Sequence, residues 1–181
     1  SQDVECVFTA NPTALTRVSE MCERAGARQI VLDAPECPLP TVSTDNRQAS
    51  RELTRVLLRS LAAAGRRGRA WFVGGMASHA VTQLRLAGFR EALEEAGLRW
   101  SPELFVETPF DTEAAHRELA RLFARPEAPG GIFVNSLIPM DGLVRCFRET
   151  PEACRAVHYG VFDHPPVMDL LVDLHVASIR Q

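Results

Sequence analysis

The 181-residue chain contains no lysine; all 20 of its basic residues are arginines. This absence excludes Schiff-base chemistry on a lysine and phosphate capture by a P-loop lysine. No apolar run approaches the roughly 20 residues a membrane helix needs. The start, "SQDVECVFTA", lacks the basic-then-apolar order of a secretory signal, so a cytoplasmic protein is expected. None of the five cysteines (Cys6, Cys22, Cys37, Cys146, Cys154) forms a CxxC pair, so neither a zinc knuckle nor a disulfide framework is expected. Cys154 and His158 stand four apart, but no second pair completes a metal site, and no cofactor is implied. Basic clustering stops at "GRRGR" (65–69) and the net charge is −3, which makes this chain by itself a poor binder of DNA.

Two catalytic signatures are missing as well. There is no GxSxG elbow, and Ser136, in "VNSL", follows a strand without flanking glycines. A helix N-cap is its plainer role. "FVGGMAS" has two glycines after a strand, but GxGxxG is absent. That loop suits a tight turn, or backbone N–H groups offered to an anion or hydroxyl.

What is present is alternation. Short β-branched runs ("VECVFT" 4–9, "QIVLDA" 29–34, "TVSTD" 41–45, "RAWFVGG" 69–75, "LFVET" 104–108, "GIFVN" 131–135, "AVHYGVF" 156–162, "HVASI" 175–179) are separated by helical patterns. This is the pattern of a parallel α/β sheet. Asn11 and Pro12 open one helix, 46–64 forms a long second one, and 79–97 and 111–124 follow. Gly65, Arg66, Arg67 and Gly68 break the chain, so a boundary is expected between lobes 1–64 and 65–181.

In open parallel sheets, ligands sit beyond the carboxyl ends of the strands. That rule selects Asp45, Gly74 to Ser78, Phe110, Asn135, Ser136, Asp163 and His164. Asp45 and Asp163 suit general acid/base work, or simply hydroxyl recognition and helix capping. Arg85 stands out because it extends the apolar stripe Gly88, Phe89, Ala92, Leu93, Ala96 by one turn. Either it snorkels to a nearby carboxylate, or its guanidinium forks onto a ligand in a cleft.

The order "TVSTDN", "VGG", "LRLAGFREALEEAGL", "VETPFD", "IFVNS…DG", "YGVFDH" resembles the LacI/GalR family of bacterial transcription regulators, most closely its fructose-repressor (catabolite repressor/activator) branch. The resemblance implies a type I periplasmic-binding-protein fold, with parallel sheets flanked by helices in two lobes. It further implies that the chain is a piece of such a protein, with the first lobe incomplete and the helix-turn-helix that would meet operator DNA missing. A sugar or sugar phosphate would be the effector, lobe closure would change operator affinity, and the whole protein would be a homodimer. By family position Arg85 would contact the sugar, with Asp45, Ser78, Thr82, Phe110, Ser136, Asp163 and His164 as further ligand residues. "GRRGRAW" departs from the family's usual "GHRRI", and "VFDH" from "GFDD". Two other readings stand beside a non-enzymatic regulator: a transporter's sugar-binding protein, and a small α/β enzyme using Asp45, Asp163 and His164.

Overall fold

A computed structural model describes residues 6–9, 12–34, 37–66, 69–163 and 175–179. Its contacts divide the chain into two compact units, 1–45 and 46–181. The first unit holds β1 (Cys6–Thr9), α1 (Pro12–Ala25), β2 (Gln29–Leu32) and β3 (Thr41–Val42), with the strands parallel in the order β1-β2-β3. Asn11, the expected cap of α1, lies outside the described residues.

The second unit holds α2 (Asn46–Ala63), β4 (Ala70–Val73), α3 (Ala80–Glu95), β5 (Phe105–Val106), α4 (Thr112–Phe123), β6 (Gly131–Val134), α5 (Leu137–Glu149), α6 (Pro151–Arg155), β7 (His158–Phe162) and β8 (His175–Ile179). All five strands are parallel, in the order β5-β4-β6-β7-β8. This confirms the α/β architecture that the alternation predicts. Strands β4, β6 and β7 are buried along their whole length, as a sheet covered on both faces requires.

The side chains of β4 alternate between two cores. Ala70 and Phe72 face Leu53 and Leu57 of α2 and Leu86, Phe89 and Leu93 of α3. Trp71 and Val73 face Leu119 and Leu122 of α4 and Met140 and Leu143 of α5. Helix α2, placed in the first lobe by the break at Gly65, packs on α3 and on the second sheet, so the contact boundary lies between Asp45 and Asn46. The reason is its stripe: Leu53, Leu57 and Leu61 are all buried. Short α6 leaves no signature in the sequence, because five residues are too few to display a helical period.

Cys146 and Cys154 lie in the α4–α5 core as free thiols. Burial pushes Cys146 up to about 12 and Cys154 upward too, so both are neutral, apolar fillers. The Tyr159 hydroxyl, raised by the same desolvation, donates to the Cys154 carbonyl at 2.7 Å.

Helices α2 and α3 approach at backbone distance. A β-carbon on Gly88 would run into the Arg47 carbonyl oxygen and come within 2.9 Å of the Arg51 nitrogen. Neither is a flexible side-chain end. Around this contact, Arg47 pairs with Glu91, and Arg51 and Arg55 both reach Glu95 at 2.7 Å. These partly exposed pairs fix register more than they stabilise. Gly88→Ala should therefore lower unfolding free energy by about 2–3 kcal/mol, the usual cost of overpacking. Chemical denaturation checks this; an unchanged midpoint would mean the helices are not in close contact.

Candidate functional site

The order β5-β4-β6 means that the chain leaves β4 in one direction and returns to its other side for β6. Strands β4 and β6 therefore flank the topological switch point, and in open parallel sheets ligands gather beyond the carboxyl ends of such strands. The segments leaving these two strands are Gly74–Ser78 and Asn135–Ser136.

Gly74 and Gly75 have φ of 106° and 80°, a left-handed region that favours glycine. Space demands glycine as well. A β-carbon on Gly74 would stand 2.5 Å from Pro139 Cγ, and one on Gly75 would meet Thr82 Oγ1 and stand 2.6 Å from Asn135 Nδ2. Gly75 also bridges to Thr108, whose amide donates to the Gly75 carbonyl at 3.1 Å. Thr82, Thr108 and Asn135 are thus gathered around one glycine.

Arg85 lies beside this cluster and answers the puzzle of its place on an apolar stripe. It is 5% exposed. Its Nε donates to Asn46 Oδ1 at 2.8 Å, and Nη1 donates to the Asn135 carbonyl. The guanidinium carbon lies over the Phe162 ring, 3.6 Å from its centroid. Its own carbonyl accepts from Ser50 Oγ at 2.6 Å. The arginine therefore joins the start of α2, the end of β6 and the end of β7.

Four buried polar atoms on this rim have no hydrogen-bond partner: His79 Nδ1, Thr108 Oγ1, Asn135 Oδ1 and Ser136 Oγ. Thr108 is 0% and Asn135 2% exposed. Unsatisfied buried polar groups are few in native proteins, so four of them near the ends of neighbouring strands single this rim out.

The remaining expected residues fall as follows. Ser136 occupies the N-cap position of α5 but makes no side-chain cap bond. Thr82 is buried against Gly75, and Ser78 is exposed in the loop after β4. Phe110 is 48% exposed, with His79 edge-on to it at 5.3 Å. Asp163 directly follows β7 with φ 82°, a strained conformation for a non-glycine residue. Asp45 is the exposed last residue of the first unit. His164 lies outside the described residues. Asp111, on the same rim, caps α4 by accepting from the Ala114 amide at 2.6 Å.

Thr108 and His79 are absent from the expected ligand set, and Asn135 is on its rim without being singled out. Their only signal in sequence is position at a strand or helix end. Among the described residues, no group of His, Cys, Asp and Glu could hold a metal ion.

The second unit's architecture is a parallel α/β sheet covered by helices on both faces, with its switch point between β4 and β6. No protein-family profile matches the sequence. The chain is 26% identical over 144 residues to the sucrose operon repressor of Klebsiella pneumoniae, covering 79% of this chain and 41% of that protein. The chain thus spans about two fifths of the length of the curated relative it matches. In structure it resembles the Cra transcriptional dual regulator of Pseudomonas putida in complex with fructose 1-phosphate. The TM-score is 0.73 at 21% identity, over 98% of this chain and 64% of that one. It also resembles a LacI family transcriptional regulator from Mycobacterium smegmatis, with TM-score 0.69 and 20% identity over 91% and 59% of the two chains. The fold is that of LacI-family regulator structures.

If Thr108 Oγ1 has no protein partner, Thr108→Val should not weaken the fold. Equilibrium unfolding is expected to show equal stability or a gain of about 1 kcal/mol. A loss of that size would mean that the hydroxyl is bonded internally.

Proposed function

We propose that the chain is the effector-binding part of a bacterial LacI-type transcriptional regulator, with a sugar or sugar phosphate as the effector. The observation that carries this reading is the set of unpartnered buried polar atoms around the β4–β6 switch point. Hydroxyl, amide and imidazole groups next to an aromatic, Phe110, suit a sugar, whose edges are polar and whose faces are apolar. The similarity to a sucrose operon repressor favours a regulator over a transporter's binding protein of the same fold. The fructose-repressor resemblance adds phosphorylated fructose to the candidates, as bound in the Pseudomonas putida structure.

In this reading the effector acts by differential affinity for two arrangements of the lobes, and operator affinity follows by linkage. Operator DNA and a second protomer are partners of the whole protein. No reaction is assigned to Asp45, Asp163 or His164; their place is recognition.

A thermal-shift series of the chain against free sugars and their phosphate esters tests this. A ligand at about a hundred times its Kd should add about 2.7 kcal/mol of stability and be recovered chemically unchanged. A sugar consumed during incubation would point to an enzyme instead. A flat response across the series would contradict the effector reading.

A further inference from the structure

We propose that the amino end of the second unit's sheet, opposite the rim, is a docking surface for an acidic segment of another protein. Three observations carry this, and none of them depends on the effector reading.

The first is a polarity of charge along the sheet. Residues 64–69, 96–104 and 124–130 lead into β4, β5 and β6. These strands are parallel neighbours in the order β5-β4-β6, so the three segments lie at one end of the sheet. Their described residues carry Arg66, Arg69, Arg99 and Arg125 against Glu103 and Glu127. At the other end of the same strands, residues 74–79, 107–111 and 135–136 carry Glu107 and Asp111 and no arginine or lysine. In a chain of net charge −3, positive charge is thus gathered on one surface.

The second is availability. Arg66 donates to the Ala156 carbonyl and Arg69 pairs with Glu103. Arg99 and Arg125 are exposed and have no hydrogen-bonded or ionic partner among the described residues. The Arg125 guanidinium carbon lies over the Trp71 ring, 4.3 Å from its centroid. A guanidinium held by its face keeps its edge donors free, the arrangement that captures a carboxylate with two parallel hydrogen bonds.

The third is the shape and mixed charge of the surface. Arg69, Trp71, Glu103, Arg125, Pro126 and Glu127 line an open hollow of about 840 Å³. Its two glutamates decide the kind of partner. Duplex DNA presents unbroken charge, about one phosphate per 1.7 Å of axis, and would press phosphates against Glu103 and Glu127. A flexible acidic chain has separated carboxylates. It can set one on Arg125 and another on Arg99, and pass the glutamates with uncharged atoms over Pro126.

The test is fluorescence anisotropy of the full chain with a labelled Glu/Gly peptide, beside a matched Gln/Gly peptide, with duplex DNA and citrate as competitors. The Glu/Gly peptide is expected to bind, more weakly as salt is raised, and the Gln/Gly peptide is not. Arg125→Gln should weaken binding about tenfold, the loss of one charge-assisted pair, and leave the unfolding midpoint unchanged. Arg145→Gln removes the same charge from α5, where Arg145 pairs with exposed Glu113. It should change Kd by no more than about twofold. Glu127→Gln should tighten binding. Equal weakening in Arg125→Gln and Arg145→Gln would mean general charge attraction and overturn the inference. No binding of the Glu/Gly peptide at low salt, or tighter binding of DNA or citrate, would overturn it as well.

Discussion

A buried guanidinium organises the second unit's rim. Arginine does not lose its charge in a protein, so burial must be matched by fixed oxygens and a π-face. Arg85 has the Asn46 amide oxygen, the Asn135 carbonyl and the Phe162 ring. Each comes from a different element, so holding one cation fixes the start of α2 against the ends of β6 and β7. The neighbouring parts share that constraint. Ser50 ties α2 to the Arg85 carbonyl, and Gly88, one turn further along α3, lets the two helices close to backbone distance.

With that frame rigid, the rim can carry unsatisfied polar atoms. Leaving Thr108 Oγ1, Asn135 Oδ1 and Ser136 Oγ without partners costs stability, and a loosely held loop would rotate to relieve it. Gly74 and Gly75 prevent this in another way. Their positive φ and lack of side chains let the loop after β4 pack directly on Pro139, Thr82 and Asn135. The result is a tightly packed loop in which these polar atoms are held in place without a partner.

Much of the fold was legible in the sequence because a doubly covered parallel sheet imposes period. The runs "AWFV", "GIFV" and "HYGVF" are continuous apolar strands, and the helices between them carry stripes. The edge strands were overestimated. "TVSTD" shrinks to Thr41–Val42 and "LFVET" to Phe105–Val106, since a strand paired on one side ends where its single neighbour ends. The rim, too, was legible, through the rule that ligands gather at carboxyl ends. What a sequence does not reveal is which polar atom is satisfied. Arg85 was legible as misplaced, but not as a strut, because its partners lie 39 and 50 residues away. Ser136 and Phe110 were visible through motif; Thr108 emerges only when its hydroxyl is found buried and alone.

The account turns on Arg85 as a strut, and a double-mutant cycle between Arg85→Met and Asn46→Ala measures that most directly. Unfolding free energies of the parent, the two single variants and the double variant isolate the pairwise term. A hydrogen bond to a buried charged group should give a coupling of about 1.5–3 kcal/mol. A coupling near zero, with both single variants as stable as the parent, would mean that the guanidinium is not held by α2 and is free to face a ligand.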